Sequence, residues 1–159
     1  MVRLQHKRKV REIMENENVQ EREAKPMDVK LQLTQKASIN NFNFADAANK
    51  IVSNAKSKGR ELWFEGLSTS KLRGIYAYIT NVYTRINKPE DYEKYKSDIQ
   101  YLKAKMAYEC GRNETVKKFI KGTGLMNALD SIKTYEQFIL YCRYAESLVA
   151  YFKFYGGKE

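Results

Sequence analysis

A single histidine, His6, stands among 159 residues, and the two cysteines, Cys110 and Cys142, lie far apart with neither a Cys-x-x-Cys spacing nor a histidine companion. This scarcity excludes a His-rich metal site and most imidazole acid-base chemistry, and both thiols read as core residues within helical patterns. Long apolar runs are missing too: mean hydropathy is −0.67, and no stretch approaches the roughly 18 residues of a membrane span. The N-terminal "MVRLQHKRKVREIMENENVQ" begins basic but has no apolar h-region and no small-residue cleavage site. No secretory signal is therefore expected, and the expected compartment is the cytoplasm. Neither Asn-Gly nor Asp-Gly occurs and no segment alternates with period two for long, so strands are not expected.

Positive charge is abundant. Twenty-nine Lys and Arg oppose 19 Asp and Glu, a formal net charge of +10. Such a balance favours a polyanionic partner, although a basic surface can also serve solubility alone. Residues 1 to 30 hold eight cations against six acids, so most of the excess lies on the remainder. That first stretch has few apolar residues at helical spacing and runs into Pro26 and the polar "LTQKASINNFN". We expect residues 1–42 to form a charged, poorly ordered or helical arm and residues 43–159 to form one bundle domain.

Helical periodicity dominates the rest. "FADAANKIVSNAKSKG" reads as a short helix stopping near Gly59, with Trp63 and Phe64 then closing over the bundle. Ser68, Thr69 or Ser70 can cap the next helix. Its apolar Leu72, Ile75, Tyr76, Ile79, Val82, Tyr83 and Ile86 fall on one face, and Asn87 with Pro89 end it. A second seam of Tyr92, Tyr95, Ile99, Leu102 and Met106 steps by three and four up to Gly111. Asn113 caps a short helix that should stop at Gly122, another runs from about Leu125 to Ile132, and Thr134 opens a final long helix ending at Gly156. Its seam is Phe138, Cys142, Ala145, Val149 and Phe152. The expected fold class is all-α, a compact bundle of about five helices.

Fragments that resemble catalytic signatures fail on context. "KGTG" at Lys121 to Gly124 has no preceding strand and no Gly-Lys-Ser/Thr, so it reads as a helix stop and turn. Tyr92 and Lys96 have an oxidoreductase-like spacing without a dinucleotide fingerprint, and Glu90 with Asp91 suit a helix N-terminus better than a metal. No nucleophile has a visible base. We expect no enzyme, no cofactor and no metal. Six cations, Lys103, Lys105, Arg112, Lys117, Lys118 and Lys121, fall between Ile99 and Lys121 against the acids Glu109 and Glu114. Lys71 and Arg73 occupy the first turn of their helix, where backbone N–H groups can also meet a phosphate. Lysines act on phosphates as point charges, so this pattern suits sequence-independent, salt-sensitive backbone contact, with ordinary solvated faces as the alternative. Surface tyrosines can add base stacking, but twelve tyrosines mostly at seam spacing more often form core and rim.

Three stretches in order, "LSTSKLRGIY", "LKAKMAYECGRN" and "ESLVAYFKFYGGKE", resemble the small subunit of the Csm complex, the type III-A CRISPR effector. The likeness covers roughly residues 60 to 159, and "VAYxKFYGGK" is its most specific piece; Phe152 stands where histidine is common in that family. The resemblance implies a non-catalytic five-helix bundle that assembles in several copies along a ribonucleoprotein filament. Its implied partners are the guide RNA and target RNA, the Cas10-type large subunit, the repeated backbone subunit and further copies of itself, with no membrane. The family's basic positions fall here on Lys71 and Arg73, on Lys103, Lys105 and Arg112, and on Lys153 and Lys158. The competing expectation is a helical protein-protein interaction subunit whose basic surface is incidental.

Overall fold

The structure, a computed structural model, describes residues 5, 7–9, 11, 28–58 and 63–159. His6 and Gly59 lie outside the described residues. From residue 28 onward the order is β1 (Lys30–Gln32), β2 (Ser38–Asn40), α1 (Phe44–Ser57), α2 (Thr69–Tyr83), α3 (Pro89–Arg112), α4 (Glu114–Thr123), α5 (Leu125–Ser131) and α6 (Tyr135–Phe154). The expected all-α class holds, with one small departure.

That departure is an antiparallel hairpin, Leu31 opposite Ile39, inside the stretch expected as an arm. Its turn is closed by a hydroxyl and not by a left-handed dipeptide: Thr34 Oγ1 accepts from the backbone N–H of Lys36 at 3.3 Å and of Ala37 at 3.0 Å. Leu31, Leu33 and Ile39 are buried in the common core. The expectation of no strands therefore fails, because three apolar side chains suffice to dock a three-residue pair on a larger helical surface.

Helix starts follow local chemistry. Ser68 accepts from the N–H of Lys71 at the head of α2, Asn113 from Thr115 and Val116 at α4, and Thr134 from Gln137 at α6; each satisfies an orphan donor. Pro89 occupies the first position of α3, where its missing N–H costs nothing. The stop of α4 is Gly124, at φ 73°, and not Gly122. Gly122 is mid-helix for a packing reason: a Cβ there would lie 2.7 Å from Trp63 Cζ2.

α6 forms the axis of the bundle, packed by α1, α2, α3, α5 and β1. Phe138, Leu140, Tyr141, Cys142, Tyr144, Ala145, Leu148 and Phe152 are all buried, which is more than the single seam the spacing predicts. Phe152 stacks on Phe64 with ring centroids 4.7 Å apart. Gly157 passes so close over the same ring that a Cβ there would meet Phe152 Cε1 at 2.2 Å. On α2 the seam holds at Leu72, Ile75, Ile79 and Val82, but Tyr83 is 41% exposed. Cys142 is buried and Cys110 is half-buried, and both are free thiols. Among the described residues no helix is long and apolar enough to cross a membrane.

Candidate nucleic-acid interface

Capping by Ser68 begins α2 so that its first turn projects Ser70, Lys71 and Arg73 outward. Lys71 and Gly74 face the C-terminal turn of α3 and the start of α4 across a groove of about 340 Å³, whose other lining residues include Glu109, Arg112 and Asn113. Lys71 Nζ donates to the carbonyl of Gly66 at 2.8 Å, which steadies it beside that groove. Glu109 is the groove's acid and is already engaged: it accepts from Tyr78 Oη at 3.3 Å and pairs with Arg112 Nη1 at 3.7 Å. The same carboxylate pushes the Tyr78 phenol pKa up, so the hydroxyl stays a donor.

Along α3 the outward row Tyr101, Lys105, Tyr108 and Arg112 steps by four, three and four, one flank away from the buried Ile99, Leu102 and Met106. Lys105 Nζ lies 4.9 Å from the Tyr78 ring centre and 5.2 Å from that of Tyr101. Arg112 Cζ lies 5.5 Å from the Tyr108 ring centre. Lys71, Lys105 and Arg112, drawn from two motifs, therefore line one continuous strip.

A second group gathers at the other flank of α2. The chain beyond α6 turns at Gly156, φ 93°, and Thr69 donates both its N–H (2.6 Å) and its hydroxyl (2.8 Å) to the carbonyl of Lys158. This tie places Glu159 between two cations: its carboxylate pairs with Arg73 Nη1 at 3.9 Å and accepts from Lys153 Nζ. The hydrogen bond from Lys153, reinforced by the charges of Lys153 and Arg73, holds the Glu159 carboxyl below the usual carboxylate range. Arg73 and Lys153 are thus brought together at Glu159, next to the backbone of Lys158.

Lys103 is not with its sequence neighbour Lys105. It leaves α3 on a different side and is bound to Asp130 of α5. Lys117 and Lys121 border a separate shallow groove with Cys110 and Met126. Burial pushes the Cys110 thiol up, with the two lysines opposing; deeper burial pushes the Cys142 thiol up further. Among the described residues no group of three or more His, Cys, Asp or Glu could hold a metal ion. Sequence reasoning missed Tyr78, Tyr101, Tyr108 and Glu109. For Tyr101 and Tyr108 the four-three-four row on α3 was the signal, readable once the buried seam beside it is drawn; Tyr78 and Glu109 had none.

The comparisons agree with one another. The family model described as "Csm2 Type III-A" matches residues 45–158. A Streptococcus thermophilus protein named "CRISPR system Cms protein Csm2" is 35% identical over 125 residues, covering 77% of this chain and 99% of that one. An Enterococcus italicus protein of the same name is 36% identical over 136 residues, covering 80% and 97%. A Mycobacterium tuberculosis protein of that name is 30% identical over 97 residues, covering 58% and 78%. The family-model match runs through the capped start of α2, the exposed row of α3 and the closing turn over Phe152, and together with the relatives it establishes that the chain belongs to the Csm2 Type III-A family.

Proposed function

We propose that this chain is the non-catalytic small subunit of a type III-A CRISPR RNA-guided complex, where it holds the phosphate backbone of guide and target RNA without sequence preference. The observation that carries this reading is the convergence of Lys71, Lys105 and Arg112 on one strip and of Arg73 and Lys153 at Glu159, from three separated motifs; Lys158 follows in the same C-terminal motif. Phosphates spaced along a strand meet a row of point charges in any sequence, and base pairing between the RNAs then does the reading. Thiols pushed up in pKa stay protonated and are poor nucleophiles, which supports a role without chemistry. Family membership supports the Cas10-type large subunit, the repeated backbone subunit and further copies of this chain as neighbours in the cytoplasm.

A second reading, a protein-protein interaction subunit with incidental charge, is favoured by Phe154, which is 75% exposed beside Tyr151 and Tyr155. The two are separated by measuring RNA affinity across salt. Binding through several phosphates predicts a fall in log affinity of about 0.7 per contact per decade of salt on a single strand. A slope near zero would leave only the second reading.

A further inference from the structure

The α3 row does more than carry charge, because its rings stand out of the surface. Tyr101 is 60% exposed and Tyr108 is 62% exposed, and seven residues of helix put them on one face about 10 Å apart. We propose that Tyr101 and Tyr108, with Lys105 and Arg112 beside them, form a stacking platform for an unpaired segment of RNA lying along α3. The proposal deepens the RNA-backbone reading and rests on it.

Each ring is paired with a cation that reaches over it, Lys105 at Tyr101 and Arg112 at Tyr108. The arrangement repeats ring and charge together, as a strand repeats base and phosphate. A separation of about 10 Å equals about three nucleotide rises at roughly 3.4 Å each in a stacked strand, so the rings would accept two bases of one strand with Lys105 between them. The acid beside this row is Glu109; Arg112 offsets its charge and the Tyr78 hydroxyl donates to it, which leaves Lys105 as the row's main phosphate contact.

Two alternative occupants fit less well. A paired duplex hides its base faces between neighbours and shows phosphate and ribose, so it gains nothing from a protruding phenol. A protein partner would meet Lys105 at the centre of the patch, whereas the buried centres of protein interfaces are depleted in lysine. Unpaired bases use the features present: a π face for each ring and a phosphate for Lys105.

The test uses the full chain with two labelled probes of equal length, a single-stranded oligonucleotide RNA and the same RNA in a perfect duplex, followed by anisotropy. Replacing Tyr101→Ala or Tyr108→Ala should weaken single-strand binding by about 5- to 150-fold per ring, following the range seen for base stacking. Duplex affinity and the salt slope should stay near wild type. Tyr101→Phe and Tyr108→Phe should restore single-strand binding, since the π face returns without the hydroxyl. Equal losses on both probes, or none on either, overturn the platform. Wild-type single-strand binding together with failure to co-purify with the other complex subunits would also overturn it, and would assign the rings to a protein partner. Lys71→Ala with Arg112→Ala serves as the separate control: if that pair loses RNA while the tyrosine variants do not, the platform fails and the backbone reading stands.

Discussion

Lys103→Ala and Lys105→Ala should differ sharply, although two residues separate them on one helix. Two residues turn about 200° around an α-helix. That rotation gives Lys103 to Asp130 and leaves Lys105 over the Tyr78 and Tyr101 rings. If all seven candidate cations engaged a single strand, the salt slope would be near −5, at about 0.7 per contact; with Lys103 held by Asp130 and Arg73 and Lys153 held by Glu159, about −3 is expected. Lys105→Ala should reduce the slope by about 0.7, which between about 50 and 200 mM salt is roughly a 2.6-fold smaller loss of affinity. Lys103→Ala should change it far less. Asp130→Asn should make the slope steeper by freeing Lys103. Anisotropy titrations at four or more salt concentrations, on two RNAs of unlike sequence, measure these slopes. Equal reductions from the two lysine variants, or an effect confined to one RNA sequence, would refute the assignment of Lys105 and not Lys103 to the backbone strip.

Other outcomes follow from single contacts. Gly124→Ala should destabilise by about 2 kcal/mol or more in urea unfolding, since a left-handed φ of 73° is costly for alanine and the new Cβ would meet Leu33 Cβ and carbonyl at 2.7 Å. Gly122→Ala should cost less, because about 1 kcal/mol of helix propensity offsets its overpacking against Trp63; the reverse order would contradict Gly124 as the stop. Tyr144→Phe should lose about 1–2 kcal/mol, because its buried hydroxyl donates at 2.8 Å to the carbonyl of Thr123, an orphan acceptor at the end of α4. Glu159→Gln should raise RNA affinity and steepen its salt slope by releasing Arg73 and Lys153. The Glu159 carboxyl pKa is lowered in the fold, so this clamp is complete above the ordinary carboxylate pKa and is lost as pH falls through the lower folded value. Wild type and Glu159→Gln should therefore converge in acid and diverge at neutral pH.

Most of the bundle was legible because helix caps and three-four spacing are local signals. Ser68, Asn113 and Thr134 announce their helices within three residues, and each makes the expected side-chain bond. What escaped depended on distant partners. Leu31, Leu33 and Ile39 are too few to signal a strand, and their burial is decided by the helical surface beneath them. Gly122 resembles a stop until Trp63, nearly sixty residues earlier, is seen lying against it. Spacing places Phe152 on the seam but does not give its socket: Phe64 stacks on its ring and Gly157 closes over it, so a histidine there would leave a ring nitrogen without water.

The candidate interface was legible in composition and not in grouping. Charge counting finds the basic stretch between Ile99 and Lys121 but treats its six cations alike. The structure divides five of them by what each one faces. An acid two helices away in sequence takes Lys103, aromatic rings take Lys105 and Arg112, and a separate groove takes Lys117 and Lys121. Periodicity alone can say that residues 101, 105, 108 and 112 share a flank, because the helix repeat fixes it. It cannot say that the flank is uncovered, since the same four-three-four steps describe the buried seam beside it. A tyrosine is at home in either place, with an apolar body for the core and a hydroxyl for water. The cations settle the matter: lysine and arginine at two of four positions in a row make burial of that row too costly without acids to match, and the acid that stands beside it, Glu109, is already shared with Tyr78. A tyrosine row with cations at alternate positions and a single shared acid beside it is therefore an outward row.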